Sequence, residues 1–308
     1  MAIHLPPGVS VLERGWLSSN NILIRGAEGC ALIDSGYCTH AEQTLALVNS
    51  ALHGQPLDLL INTHLHSDHC GGNAALQARY AALQTHIPPG HAEYVRLWDA
   101  VALSYTPSGQ QCPRFRFDAT LRPGSEVRLG DLHWQVHAAP GHDPHSVILF
   151  EPLSRTLVSA DTLWERGFGV VFPELDGQGA FQEVADTLDL IESLNPAQVI
   201  PGHGAPFTDV TVALAYARSR LQGFVDNPAK HLQYAAKVLL KFKLLEAQSL
   251  ERATLLSWAL GSSYFANLLT QTVETFGGAS ATAVLDGLVQ DLVRSGAATV
   301  RGTRVFNA

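Results

Sequence analysis

Apolar positions fall in short blocks through the first two thirds of the chain and switch to helical spacing in the last third. Blocks bounded by Gly, Asn or Ser predict strands at Val9–Glu13, Asn21–Arg25 and Ala31–Asp34. His40–Leu52 carries Leu45, Leu47, Val48 and Leu52 at a spacing that predicts an amphipathic helix. Leu57–Asn62 predicts a strand that stops at Thr63, Gly72–Ala82 a helix, and Ala82–Thr85 a further strand. Pro88–Gly124 is irregular and holds the aromatic and basic run Arg114-Phe-Arg-Phe117. Long irregular stretches often carry function. Strands are then predicted at Ser125–Arg128, His133–Ala138, Ser146–Glu151 and Thr156–Ala160, a helix at Ala180–Leu194, and a short strand at Gln198–Ile200. Strands interspersed with helices predict a layered α/β domain.

Past Gly204 the pattern becomes helical. Asp209–Val225, Ala229–Ala247, Ser249–Leu260, Tyr264–Phe276 and Ser280–Ser295 are the expected helices, with Asp209, Ser249 and Ser280 as candidate N-caps. Ala298–Phe306 reads as a hairpin turning at Gly302. Two domains are expected, one over residues 1–228 and a helical, winged-helix-like one over residues 229–308.

With 308 residues and 46% hydrophobic content, the chain can bury a full core without disulfides. Its net charge of −8 argues against a protein built to coat nucleic acid. The charge is uneven, since every lysine lies at or beyond Lys230 and basic residues outnumber acids after residue 212. Drift between two modules accounts for this, and as a basic footprint it is weak. The four cysteines, Cys30, Cys38, Cys70 and Cys112, form no CxxC pair and read as free thiols in a reducing, cytoplasmic compartment. The stretch Met1-Ala-Ile-His-Leu-Pro-Pro7 lacks the basic and then apolar order of a signal peptide. No apolar run is long enough to span a bilayer, so no membrane partner is expected.

The spacing of the histidines changes the picture most. Thr63-His64-Leu65-His66-Ser67-Asp68-His69-Cys70-Gly71-Gly72 puts four metal-competent side chains within six residues, directly after an apolar strand. Imidazole nitrogen and carboxylate oxygen suit a zinc-like ion. Gly71 and Gly72 let the backbone fold closely before the next helix. Three more ligand-type residues each follow a predicted strand: His142 in Ala139-Pro-Gly-His-Asp143, Asp161 in Val158-Ser-Ala-Asp-Thr162, and His203 in Ile200-Pro-Gly-His-Gly204.

Taken together, the HxHxDH run at His64–His69, the PGH at His142, Asp161 after a strand and the GHG at His203 resemble the metallo-β-lactamase superfamily over about residues 10–225. The resemblance implies an αββα sandwich with metals at one edge between two sheets. It implies that His64, His66 and His142 hold one ion, that Asp68, His69 and His203 hold a second, and that Asp161 bridges them. Asp34 matches a family position that orients a ligand histidine. The implied cofactors are two divalent ions, zinc first, with iron and manganese suited to the same donors. The implied activity is hydrolysis by a metal-bridging hydroxide, with Asp68 orienting the nucleophile or moving a proton.

Within the superfamily, Asp68-His-Cys-Gly-Gly-Asn73 is similar to the DHxGGN of glyoxalase II-like and general hydrolases, which implies a small ester, thioester or lactone substrate. No obvious Lys and Arg set follows the GHG to serve the glutathione carboxylates. The third motif departs from PGHTxG, reading Pro140-Gly-His-Asp-Pro-His-Ser146, which makes Asp143 and His145 candidates to contact a ligand histidine or substrate, or a plain turn. Trp164, Phe168 and Phe172 are candidates for an apolar wall, and Arg114, Arg116 and Arg166 for an anionic group. The helical tail resembles that of the lactamase-beta-like group, so an RNA or phosphodiester substrate is the alternative. A mononuclear iron dioxygenase of the same fold is a second alternative. Leu239, Leu240, Leu244 and Leu245 form an apolar cluster that suits domain packing or a homodimer face.

Overall fold

The computed structural model describes residues 3–275 and 280–308, which divide into two compact units. One comprises residues 1–103 and 111–221, the other residues 104–110 and 222–308. Met1, Ala2 and Phe276, the expected end of one helix, lie outside the described residues.

The first unit holds two sheets. The first has six strands in sequential order: β1 (Val9–Leu12), β2 (Asn21–Gly26), β3 (Gly29–Ile33), β4 (Leu59–Ile61), β5 (Gln84–Ile87) and β6 (Ala119–Thr120). Pairing is antiparallel as far as β3 and parallel from β3 to β6. The second sheet runs in the order β11-β10-β9-β8-β7. Its strands are β7 (Glu126–Leu129), β8 (Leu132–Ala138), β9 (Val147–Glu151), β10 (Thr156–Ala160) and β11 (Gln198–Pro201), with only β10 and β11 parallel.

Alternate side chains of β2, β3 and β4 point to opposite faces, and both faces are covered. Ile22, Ile24, Ala31, Ile33 and Ile61 meet Leu129, Trp134, Val136, Leu149 and Val158 of the second sheet. Leu23, Leu32 and Leu60 pack with Val48 and Leu52 of the helix Ala41–Leu52 and with Leu76 of the helix Asn73–Arg79. Burial on two faces explains why these strands read as apolar blocks rather than as clean alternation. The helix Phe181–Leu194 buries Val184, Leu188 and Ile191, and its Thr187 hydroxyl donates to the carbonyl of Pro140, just beyond β8, at 2.8 Å. The fold is the αββα sandwich that the resemblance implies.

The second unit contains the helices Pro228–Ala247, Arg252–Gly261, Ser263–Thr275 and Ala281–Arg294, and a three-stranded sheet. Leu239, Leu240 and Leu244 are buried in it. Ser280 caps its helix as expected, its hydroxyl accepting the Ala283 N–H at 3.2 Å. Ser249 does not. Gln248 has φ +61 and breaks the helix, and Ser249–Glu251 becomes strand β12. That strand pairs with β14 (Arg304–Asn307), which in turn pairs with β13 (Ala298–Arg301) around Gly302 at φ +59. Helices closed by a hairpin and one added strand form the winged-helix-like arrangement. Residues 105–108, in the stretch that lacks a clear pattern, form a helical turn of this unit, where Ser262 Oγ donates to the Pro107 carbonyl at 2.7 Å.

Ile61 sits at the end of β4 with no exposed surface, directly before the histidine-rich turn. Replacing Ile61 with Val should cost about 1 kcal/mol of stability and Ile61→Ala about 2–5 kcal/mol. Urea titrations followed by circular dichroism would show this as a small and a large fall in midpoint. Equal midpoints would mean that the sheet interface is not packed as described.

Candidate metal centre

Each ligand-type side chain leaves from the end of a strand. β3 ends at Ile33 and delivers Asp34, whose φ of +57 is unusual for a residue other than glycine. β4 ends at Ile61, and Asn62-Thr63 lead to His64 and His66, after which the one-turn helix Ser67–Cys70 carries Asp68 and His69. β8 is followed by Pro140-Gly141-His142, β10 by Asp161 and β11 by Gly202-His203. Glycines make the approach possible. A Cβ on Gly72 would lie 2.4 Å from the Ser35 carbonyl oxygen, and one on Gly202 would lie 2.2 Å from Asp161 Oδ1.

The turns bring together all seven side chains in two groups, each with its donor atoms within 4.8 Å of one another. His64 Nε2 lies 3.1 Å from His66 Nδ1, which lies 2.9 Å from His142 Nε2. In the other group Asp68 Oδ2 is 3.1 Å from His203 Nε2 and 3.9 Å from His69 Nε2. Asp161 Oδ2 stands between the groups, 3.5 Å from both His142 Nε2 and His69 Nε2 and 3.7 Å from His203 Nε2.

The surrounding hydrogen bonds fix which nitrogens face inward. His142 donates its Nδ1–H to the Val170 carbonyl at 2.6 Å, so Nε2 turns a lone pair into the cluster. His69 donates its Nδ1–H to Asp34 Oδ2 at 2.8 Å, and Asp34 is itself held by the Thr63 amide at 2.9 Å and hydroxyl at 2.8 Å. Among the described residues, His69 Nε2 is then buried with no hydrogen-bond partner. Three imidazole nitrogens facing one another at about 3 Å cannot all find a donor. The seven donors are a nitrogen and oxygen set that suits divalent metal ions, whose charge would satisfy every lone pair.

Electrostatics point the same way. Burial, then the charge of His142, pushes His66 down to about 4. Burial and the neighbouring imidazoles hold His64 well below the usual histidine range, and burial lowers His142. Burial also works against charge on Asp161 and on His69. For Asp161, His203 and His69 outweigh it and hold the carboxyl well below its ordinary value. For His69, the carboxylates of Asp161, Asp34 and Asp68 outweigh it and raise the imidazole well above its ordinary value.

Asp143 and His145 fare differently. Asp143 is buried, with Oδ2 3.8 Å from His66 Nε2, while its Oδ1 accepts the His145 N–H at 2.7 Å in a tight turn. The His145 ring packs against His91 at 4.5 Å. Phe168 is a core residue, whereas Phe172 lies 4.7 Å from the His66 ring. Trp164 donates its Nε1–H to Asp161 Oδ1 at 3.2 Å. Arg114 and Arg116 turn to the carbonyls of Arg96 and Leu83.

Sequence reasoning missed the segment before β2. Trp16 is 55% exposed and stacks on the His203 ring at 5.3 Å with 13° between the planes. The Ser19 amide donates to the Asp68 carbonyl at 2.9 Å, and Asn20 Nδ2 donates to the carbonyls of Pro201 at 3.0 Å and Gly204 at 2.7 Å. One short segment thus braces two of the turns. The only signal is a tryptophan and a polar run in a Gly-bounded turn, which carries no metal-ligand chemistry of its own.

Residues 14–203 match the metallo-beta-lactamase superfamily. The chain belongs to that superfamily. Among its relatives is a hydroxyacylglutathione hydrolase of Anaeromyxobacter dehalogenans, 33% identical over 48% of this chain and 47% of that protein. Another, from Rhodospirillum rubrum, is 26% identical over 65% of this chain and 67% of that protein. The chain thus spans about half to two thirds of the length of these relatives. A metallo-beta-lactamase family protein from Thermus thermophilus superposes with a TM-score of 0.59 over 99% of this chain and all of that one, at 19% identity. A protein solved in a di-iron-bound form is 26% identical over 68% of this chain and 98% of its own, with a TM-score of 0.54.

The histidine shifts give the metal-free protein a stability profile with a maximum. Between pH 6.5, the ordinary histidine value, and about 4, the unfolded chain binds a proton that folded His66 refuses, so stability falls as pH falls through that window. His69 has the opposite sign. Its contribution is complete below about pH 6.5 and is lost as pH rises toward its raised value. Urea midpoints of chelator-treated protein should therefore peak near pH 6.5. A profile that keeps rising from pH 6.5 to 9 would contradict the charge arrangement described.

Proposed function

We propose that this superfamily member is a hydrolase of a small thioester or related ester, working with two divalent ions. In this reading His64, His66 and His142 would hold one ion, Asp68, His69 and His203 the other, and Asp161 would serve both. The observation that carries it is the position of Asp161 Oδ2, within 3.7 Å of donors from both groups. The solved relative in a di-iron-bound form supports a two-ion centre. Zinc is the proposed metal because the donors are imidazole and carboxylate alone.

When bound, two such ions would supply a water of lowered pKa and a polarised carbonyl, which is the chemistry that ester and thioester hydrolysis requires. The chain's own residues do the rest. Asp34 holds His69 in one tautomer and one orientation. Trp164 fixes the far oxygen of Asp161. Asp68, with 15% of its side chain exposed, is the most open carboxylate of the set and is placed to orient the nucleophile and take its proton. Trp16 and Trp164 beside His203, and Phe172 beside His66, offer apolar walls for an acyl group.

The thioester reading draws on the relatives named hydroxyacylglutathione hydrolase. A small substrate is favoured over RNA because most of the cationic side chains of the second unit are engaged within it. Lys237, Lys243, Arg252, Arg294 and Arg304 are each ion-paired there, and Lys241 donates to the carbonyls of Ala297 and Ala308. A cytoplasmic location belongs to the same reading. Among the described residues no helix is long and apolar enough to cross a membrane.

Metal analysis of protein purified without added metal should give about two zinc ions per chain, with turnover on a thioester in a panel that includes lactone, β-lactam, phosphodiester and RNA substrates. One iron per chain and no hydrolysis would replace this reading with a mononuclear oxygenase. His66→Ala and Asp161→Ala should each lower turnover by ~100-fold or more while the protein stays folded. Full activity in either would remove that residue from the centre. Asp34→Ala should weaken metal affinity by roughly 10–100-fold in competition with a chelator. An unchanged affinity would mean that the hydrogen bond to His69 does not tune the site.

A further inference from the structure

Cys70 follows His69 directly and closes the one-turn helix of the first motif. Its Sγ is buried and lies 3.8 Å from the Sγ of Cys112. The two residues are 42 apart in sequence, so this is a tertiary contact and not a local pairing. Cys70 Sγ is held on its other side by the carbonyl oxygens of His66 at 3.3 Å and Leu65 at 3.5 Å. Cys112 is half-buried and sits in residues 111–117, which carry neither helix nor strand. One thiol is thus fixed and sheltered, and the other is partly accessible on an irregular segment.

We propose that Cys70 and Cys112 are an oxidation site that closes to a reversible disulfide, with hydrogen peroxide or another small peroxide as the oxidant. Cys112 reacts first, because it is the one that solvent reaches. Its thiolate attacks one peroxide oxygen, the O–O bond breaks, and Cys112 becomes a sulfenic acid as hydroxide leaves. Cys70 sulfur then attacks the Cys112 sulfur. The S–O bond breaks, water leaves, and the S–S bond forms. In sum two thiols lose two hydrogens, and one peroxide becomes two waters.

The sulfurs must close from 3.8 Å to about 2.05 Å. The movement falls on the Cys112 side, because the helix Ser67–Cys70 is pinned where the Ser35 amide donates to the His69 carbonyl at 2.7 Å and the Gly71 amide to the Ser67 carbonyl at 2.9 Å. On the Cys112 segment the opposing ties include the Gln111 amide to Tyr37 Oη at 3.1 Å, Cys38 Sγ to the Gln111 carbonyl at 3.4 Å and, further along, the Arg116 amide to Gln77 Oε1 at 3.1 Å, with Phe115 buried between. The product would tie residues 111–117 to the turn that bears Asp68 and His69. Cys38 is the natural competitor for Cys112, which gives the test its control.

The metal-loaded protein is treated with hydrogen peroxide, its remaining thiols are blocked under denaturing conditions, and its peptides are mapped without reduction. The expected result is a fall from four free thiols to two, a linked pair of peptides containing Cys70 and Cys112, and full recovery with dithiothreitol. Cys112→Ser should abolish the link, keep Cys70 reduced under the same dose, and leave turnover under reducing conditions unchanged. Retention of all four thiols would overturn the proposal. So would a Cys38–Cys112 link, or Cys112 carried to sulfinic acid while Cys70 stays reduced.

Discussion

Burying several imidazole lone pairs and two carboxylates at one point is the constraint on which the rest of this molecule depends. His64, His66 and His142 bring nitrogen to nitrogen at about 3 Å, and Asp161 Oδ2 touches both halves of the cluster. Without a cation these groups are in conflict. Nitrogens without donors are costly, and burial works against charge on both the histidines and the aspartates. The protein does not relax the conflict by letting side chains swing to solvent. Val170 holds His142, Asp34 holds His69, and Trp164 holds Asp161. An arrangement that is locally unfavourable and externally braced is what a preorganised cation site looks like before the cation's own contribution is counted.

The bracing works because the groups stand on rigid elements. Two sheets share a core from Val9 to Ile200, and the turns that follow β3, β4, β8, β10 and β11 each deliver one part of the cluster. Positive φ at Asp34 and Ala160, next to the residues that must turn inward, places backbone strain where the surrounding sheets can hold it. Glycine at positions 72 and 202 removes the atoms that would keep the turns apart. Sheet packing and site geometry are therefore one problem, and a core substitution near the end of β4 reaches the metal centre through Ile61 and not through any ligand.

Much of this is legible in the sequence because it is local. Apolar blocks mark the sheet strands buried on two faces, and each ligand sits within a few residues of a strand end. What escaped is tertiary. The two-residue strand β6 has too little sequence to show a pattern. Ser249–Glu251 reads as the start of a helix, and it becomes a strand because β14 offers it an edge. Trp16 and Asn20 carry no ligand chemistry, and their role exists only once the turn at His203 is beside them. The stretch 88–124 gave no periodicity, and residues 104–110 of it belong to the second unit.

The departure in the third motif shows how a local reading and a tertiary one can both hold. Asp143-Pro144-His145 is a turn, as its composition suggests, with Asp143 Oδ1 accepting the His145 amide. The same carboxylate turns its other oxygen toward His66 Nε2 at 3.8 Å. His66 faces the cluster through Nδ1, so Nε2 is the nitrogen left to meet an outer partner. At 3.8 Å this is an electrostatic contact and not a hydrogen bond, whereas Asp34 reaches His69 at 2.8 Å. These two histidines are therefore supported unequally. His69 is locked by a short carboxylate contact, and His66, which is also the more exposed of the two, is only attracted by one.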